Sequence, residues 1–435
     1  MKYGIHTLDE LDLKGKVVLC RVDINSPLDP ATGGLRDTTR IRGCAPTVRE
    51  LSDAGARVVL LAHQGGDLEY QNYGSTEPHA AVLGELLGRP VRFIDDVCGP
   101  AARTAICELR DGQILLLDNV RYLAEELTLF ETNLNLTPAQ QARTLLVRKL
   151  APLADLFVCD AFAAVHRSQP SLVGLPEVLP SAMGRLFEHE YAALSHLREE
   201  PVRPCVFVLG GTKIDDAFLM MRSVLRDGVA DTVLTGGLVG HVMLIAAGIE
   251  LGQPSTELIR AKKLWPWVEI SREILAQFAD RVVLPSDFAV VRDGRRTELS
   301  RADLPSDELI VDIGHATVDG YRASIASAGT VFVNGPLGVY EQPATEYGTR
   351  AIWEAMAEAT AYSALGGGDS IAAMNAFALG ERFDYVCTAG GGMVRFLAGE
   401  ELPVVAALKA GAARSLSNTP PATAGRPAAV GSAAR

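Results

Sequence analysis

The run CVFVLGGTKIDDAFLMMRSVLRDG, residues 205–228, places a continuous apolar segment, a turn through two glycines and an amphipathic segment one after another. Apolar residues without polar alternation mark a strand buried on both faces, which is the habit of parallel sheets. The residues after Lys213 follow helical spacing. A strand that enters a helix through a short glycine turn is half of a βαβ unit, so this stretch argues for α/β architecture. It also poses a chemical question. Gly210 and Gly211 can serve the turn alone, with Lys213 a solvated first-turn residue. Alternatively, the glycines let a phosphate reach bare amides at the helix start and Lys213 neutralises it. The stretch by itself leaves both open, because it lacks the G-x-x-x-x-G-K-[ST] spacing of a P-loop, which occurs nowhere in the chain.

The same alternation extends in both directions. Apolar runs at 17–22, 57–62, 114–117 and 156–159 precede it, and runs at 231–235, 308–314, 330–335 and 362–368 follow, with helical patterns between them. Two doubly wound parallel-sheet (Rossmann-like) domains result. The helical stretch FEHEYAALSHLREEPVRP at 187–204 divides the series and reads as a connecting helix. The expected organisation is an N-terminal domain over 1–186, the connector over 187–204, a C-terminal domain over 205–411 and a disordered tail over 412–435, where Ala, Pro, Ser and Gly dominate. Residues 127–141 read as a loop leading into a helix capped near Thr137 with Pro138 in its first turn.

The 435 residues suffice for two domains, and 48% apolar with 22% charged residues is ordinary globular composition. No apolar run approaches the ~20 residues of a membrane span, and the first residues carry no apolar leader, so a cytoplasmic protein is expected. A net charge of −12 disfavours nucleic acid or an anionic membrane as partner; any phosphate site must be a local basic pocket. The seven cysteines are scattered without C-x-x-C pairs and several lie inside apolar runs, as reduced buried thiols do.

Ligands of open parallel sheets bind at the carboxyl ends of strands, so the residues following each apolar run carry the information. In the first half these are Arg21, Asp23 and Asn25, then His63 and Gln64, then Asn119 and Arg121, then His166 and Arg167, with Arg40 and Arg42 opening a helix. Repeated guanidiniums at strand ends suit a small polyanion bearing phosphate and carboxylate. In the second half the strand ends are glycine-rich: LGGTK (209–213), TGGL (235–238), VNGPLGVYE (333–341), GGGDS (366–370) and TAGGGM (388–393). Five such turns favour a nucleotide site, with Asp369 either a magnesium contact or the N-cap of the helix that follows. The division suggests phosphoryl transfer across a cleft that closes. A nicotinamide dehydrogenase fits less well, because no G-x-G-x-x-G follows the first strand.

The motifs RVDIN with Pro27 behind it, DTTRIR, DNVRY, DAFAAVHRSQPSLVG followed by LPSAMG, LGGTK, VNGPLGVYE, GGGDS and TAGGGMVRFLAGEELPVVAAL run in order from about residue 5 to 410. In this set and order the chain resembles phosphoglycerate kinase, most closely the archaeal branch. The resemblance implies that Asp23, Asn25, Arg40, His63, Arg121 and Arg167 hold 3-phosphoglycerate, with Arg40 also facing the transferring phosphoryl group. It implies that Gly211, Lys213, Asn334, Glu341, Gly367, Gly368, Asp369 and Ser370 bind ATP or ADP, with Lys213 catalytic and Asp369 on Mg²⁺. A monomer acting on small molecules is the expected form.

Two positions depart from the family pattern. After His63 the family usually continues with a glycine and an arginine-proline pair, whereas this chain has Gly65, Gly66 and Asp67, so a substrate arginine is missing at Gly66. Ala217, four residues after Lys213, stands where many members carry a second lysine; helical spacing of four would put both on one face. These departures leave room for a related kinase with a different carboxylate acceptor, or for a catalytically weakened binding homologue.

Overall fold

A computed structural model describes residues 1–66 and 72–416. The chain divides into two compact units, Met1–Tyr191 together with the chain from Glu401 on, and Ala192–Glu400.

The sheet of the first unit is wholly parallel. Its strands are β1 (Val17–Arg21), β2 (Arg57–Leu61), β3 (Val91–Ile94), β4 (Ile114–Leu117), β5 (Leu156–Cys159) and β6 (Ser181–Met183), in the order β3-β4-β2-β1-β5-β6. All five residues of β1 are buried, as a strand covered by helices on both faces requires. Val18, Cys20, Val58 and Leu60 pack against Ile41, Cys44, Val48 and Leu51 of the helix Thr39–Asp53. Connections leave β1 toward β2 and leave β5 toward β6, so they diverge between β1 and β5. That divergence opens the crevice in which doubly wound sheets bind ligands.

The second unit repeats the scheme with β7 (Cys205–Leu209), β8 (Thr232–Thr235), β9 (Val282–Val283), β13 (Thr330–Asn334), β14 (Tyr362–Gly366) and β15 (Tyr385–Cys387), ordered β15-β14-β13-β7-β8-β9. Here the divergence falls between β7 and β13, which pair from Thr330↔Cys205 to Asn334↔Leu209. The strands β10 (Asp287–Arg292), β11 (Arg295–Ser300) and β12 (Asp312–Ile313) form a separate antiparallel sheet in the order β11-β10-β12. This corrects the expectation for 308–314: only two of those residues form a strand, and it pairs antiparallel with β10 instead of joining the parallel sheet.

The C-terminal limits also differ from expectation. The helix Pro403–Leu416 groups with the first unit, although 205–411 was expected to be one domain and the tail to begin at 412. Burial explains the difference: Val404, Leu408 and Ala412 are at most 1% exposed, and the Val404 N–H donates to the Val165 carbonyl at 3.3 Å. Arg414 continues the attachment, donating to the Pro176 carbonyl at 2.8 Å and facing Glu177 at 3.4 Å. Residues 417–435 of the expected tail lie outside the described residues. The connecting helix spans Arg185–Glu199, and the division between units falls within it. Thr137 caps the helix Pro138–Gln141, its hydroxyl accepting the Gln140 N–H at 3.3 Å. No described helix is long and apolar enough to cross a membrane.

Candidate functional site

The first unit gathers its cations at the carboxyl edge of the sheet. Arg21 ends β1, His63 follows β2, Arg121 follows β4 and Arg167 follows β5, while Arg40 comes from the first turn of Thr39–Asp53. His63 reports their convergence. It is 8% exposed, and its ring is held well below the ordinary histidine range first by burial and then by the charges of Arg21, Arg121, Arg40 and Arg167. A neutral imidazole among four guanidiniums is a local electropositive pocket in an acidic chain, and such a pocket calls for an anion.

Each guanidinium is aimed by a neighbour. Arg40 Nη1 donates to Asp23 Oδ2 at 2.6 Å, so Asp23, 3% exposed, is a buried anchor for Arg40. Asn25 Oδ1 accepts the Gly65 N–H at 2.8 Å, and Arg121 donates to the Gly65 carbonyl. Arg167 Nη1 donates to Thr128 Oγ1 at 3.0 Å and stands 3.7 Å from Glu131. Gly65 itself is obligatory: φ is +78°, and a Cβ there would lie 2.4 Å from the Asn72 carbonyl oxygen. Gly66 follows at the rim, half-buried, and Asp67 lies outside the described residues. Arg36 faces Asp29 at 4.0 Å, and Arg42 donates to Thr38 Oγ1 at 3.2 Å.

In the second unit the glycine turns converge at the divergence point of the sheet. Gly210 and Gly211 follow β7, Asn334 ends β13, and Gly367 and Gly368 follow β14; all line one small cavity of about 60 Å³ together with Lys213, Asp216, Asp369 and Ser370. Close packing makes the glycines necessary. A Cβ on Gly210 would lie 2.3 Å from the Pro336 carbonyl oxygen. Ser370 ties two of the loops together, its fully buried hydroxyl accepting the Gly335 N–H at 2.7 Å. Among the lining residues Lys213 is the one cation, set against the carboxylates of Asp216 and Asp369. Two carboxylates would repel a bare polyphosphate, so this donor set suits phosphate accompanied by a divalent cation, which commonly takes one or two protein carboxylates and completes its shell with phosphate and water.

A second cavity of about 350 Å³ shares Gly211, Thr212 and Asp369 with the first and extends past Leu238, His241, Leu309, Leu337 and Val339 to Glu341. That volume and its largely aliphatic wall suit a nucleoside. Burial pushes His241 down to about 4, so its ring is neutral at physiological pH.

All the residues expected at the nucleotide therefore line one cavity or the other. Two details differ. Asp369 is not the helix N-cap; Gly367 holds that position and Asp369 lies in the first turn. Ala217 and Lys213 differ in setting: Lys213 is the exposed N-cap, with φ −85° and ψ 71°, and its carbonyl accepts the Ala217 N–H at 3.3 Å, but Ala217 is 2% exposed and packs into the core, while Asp216 lines the cavity beside Lys213. Sequence reading missed Asp216 and His241, which reach the cavities from helix faces, and the segment Leu309–Asp312, which leads into β12; no strand-end rule points to them.

The comparisons with known proteins converge on one family. The family model for phosphoglycerate kinase matches residues 8–400. The chain is similar to the phosphoglycerate kinase of Methanothermobacter thermautotrophicus, 42% identical over 409 residues that cover 94% of this chain and 98% of that protein. It is likewise similar to that of Halobacterium salinarum, 43% identical over 411 residues covering 93% of this chain and 100% of the relative. The crystal structure of phosphoglycerate kinase from Pyrococcus horikoshii superposes with a TM-score of 0.85 at 39% identity, covering 94% of this chain and 99% of the other. That of Coxiella burnetii gives 0.76 at 32%, covering 94% and 100%.

Proposed function

The chain belongs to the phosphoglycerate kinase family, and from that premise we propose how its own residues divide the reaction. The enzyme is a phosphotransferase with a carboxyl acceptor, passing a phosphoryl group reversibly between 1,3-bisphosphoglycerate and ADP to give 3-phosphoglycerate and ATP in glycolysis and gluconeogenesis. The acceptor is assigned to the first unit, where Asn25, His63, Arg121 and Arg167 hold it and Asp23 aims Arg40 at its carboxylate end. The nucleotide is assigned to the second unit. Its base and ribose take the larger cavity out to Glu341, and its phosphates meet Gly211, Lys213, Asn334, Gly367, Gly368 and Ser370.

Asp369 would hold the magnesium that accompanies the nucleotide, with Asp216 beside it; the ion supplies neutralisation of phosphate charge. The protein provides positioning and cations and needs no covalent step. The carboxylate oxygen of 3-phosphoglycerate attacks the terminal phosphorus in line. Arg40 and Lys213 neutralise the charge that spreads onto the equatorial oxygens. Transfer requires the two bound molecules to meet, so domain closure precedes chemistry. The glycolytic role supports a cytoplasmic location, and a monomer suffices because each set of residues comes from one chain.

The observation that carries this assignment is the cluster of four guanidiniums about a neutral His63, a site built for a phosphorylated carboxylate. Steady-state activity with MgATP and 3-phosphoglycerate, coupled to a dehydrogenase that reads NADH, tests it. Arg40→Ala is expected to lower kcat by two to three orders of magnitude, about the effect of deleting a transition-state donor, with nucleotide affinity unchanged. An unchanged kcat would overturn the assignment. The arginine missing at Gly66 motivates a second reading, a different phosphorylated carboxylate as acceptor, and a higher kcat/KM with such an acid would favour it.

A further inference from the structure

We propose that Arg21, Ser171 and Glu126 are positioning residues that hold His63 in its Nε2–H tautomer, so that the ring offers a neutral N–H donor to the anionic acceptor of the first unit. The ligand's identity rests on the proposed function; the tautomer does not.

Arg21 is 1% exposed, and its Nη2 lies 3.1 Å from His63 Nδ1. A guanidinium has only donors, so Nδ1 must accept, and the proton of the neutral ring is then on Nε2. Among the described residues Nε2 has no hydrogen-bond partner, which leaves it for a ligand. Protonation of the ring would turn Nδ1 into a donor pointed at the donor of Arg21, in a pocket already charged by Arg40, Arg121 and Arg167. The ring therefore stays neutral through the physiological range.

Arg21 is fixed in turn. Its Nε donates to Ser171 Oγ at 3.1 Å and its Nη1 to the Val22 carbonyl at 2.6 Å. The Ser171 hydroxyl donates onward to Glu126 Oε2 at 2.7 Å, and the Ser171 N–H donates to Oε1 at 2.6 Å. Glu126 is fully buried and, with Asp23, is a carboxylate acting on Arg21. The chain Glu126, Ser171, Arg21, His63 thus gives every guanidinium nitrogen a set direction, and the direction of Nη2 decides which imidazole nitrogen faces the site. Positioning of this kind behind a binding histidine is what fixes its tautomer.

The test uses the full chain labelled with ¹⁵N-histidine, with His63 assigned by the signal lost in His63→Gln. Long-range ¹H–¹⁵N spectra without ligand, taken at pH 8, above the value of about 7 to which burial pushes the Glu126 carboxyl, should show His63 as the Nε2–H tautomer. A dominant Nδ1–H form, or a charged ring at pH 7, would overturn the proposal. Ser171→Ala and Glu126→Gln should give mixed tautomers and raise KM for 3-phosphoglycerate about tenfold, the size of one charge-assisted hydrogen bond, while kcat and ADP affinity stay within about threefold. If both variants keep the wild-type tautomer and KM, the positioning role is refuted. Arg21→Lys keeps the charge but cannot reach Ser171 and His63 together, and should behave like Ser171→Ala; if it does not fold, Ser171→Ala decides. Should the tautomer stand while another acid proves the better acceptor, the proposed substrate fails and this inference survives.

Discussion

Gly367 and Gly368 are neighbours with opposite tolerance for a side chain, and the contrast tests the reading of the phosphate cavity. Gly367 has φ 92° and ψ 139°, and an added Cβ would lie 2.3 Å from Asn334 Oδ1. Backbone in that region is essentially closed to other residues and costs an alanine about 2 kcal/mol; pushing the Asn334 side chain aside adds about 1 kcal/mol of overpacking strain. Gly368 opens the helix Gly368–Ala376, and a Cβ there would meet nothing within 4 Å. Alanine at that position should stabilise by about 0.5–1 kcal/mol, because the unfolded chain loses freedom. The two variants should therefore differ by about 3.5–4 kcal/mol, or about 7–16 °C in Tm for a unit of this size. Calorimetry of the full chain, following the transition that ADP shifts, measures the difference. Isothermal titration should show Gly367→Ala binding MgADP about tenfold more weakly, in keeping with about 1.4 kcal/mol lost at Asn334. If Gly367→Ala melts within a degree of wild type, or both variants melt alike, the account of this turn is wrong.

Lys213→Met should weaken MgADP about ten- to a hundredfold, the worth of one charge-assisted contact, and leave 3-phosphoglycerate binding unchanged; titrations with each ligand check this. Arg296 Nη1 donates at 2.7 Å to Asp312 Oδ2, whose side chain is fully buried at the edge of the larger cavity. Arg296→Met should cost about 3–5 kcal/mol, because it strands that carboxylate, and a loss below 1 kcal/mol in urea unfolding would refute it. Asp160 Oδ1 accepts the N–H groups of Leu186 at 2.9 Å and Phe187 at 3.2 Å, where the helix Arg185–Glu199 begins, and burial pushes its carboxyl from 3.8 up to about 7. The folded state then binds the proton more tightly than the unfolded state, so this contribution is full below 3.8 and is lost as pH rises toward 7. Between pH 5 and 8 the wild type should lose up to a few kcal/mol more than Asp160→Asn; equal losses in urea midpoints would sink the argument.

What could be read from the sequence follows from where parallel sheets put their chemistry. A strand buried on both faces appears as an apolar run, and the residues after it are the ones ligands meet, so RVDIN pointed to the electropositive pocket and LGGTK and GGGDS to the glycine-lined cavity without any tertiary contact being known. The reading failed where a residue's role depends on a distant partner or on local backbone. Arg21 and Arg40 look alike in sequence, yet one is a buried group in contact with His63 and held by a serine 150 residues away, and the other pairs with Asp23 at the start of a helix. Asp312 reaches the larger cavity from an antiparallel sheet that interrupts the βα alternation, and its partner Arg296 lies on another strand of it. Ala217 is the clearest case. Lys213, at the N-cap, is exposed, whereas Ala217, whose N–H donates to the Lys213 carbonyl at 3.3 Å one turn on, is 2% exposed. The lysine looked for at 217 would start from a buried position. Its absence therefore leaves the observed cavity intact, and the charge balance there is set by Asp216 and Asp369 against a single lysine, so the missing cation in this chain is one that the nucleotide's own metal is suited to supply.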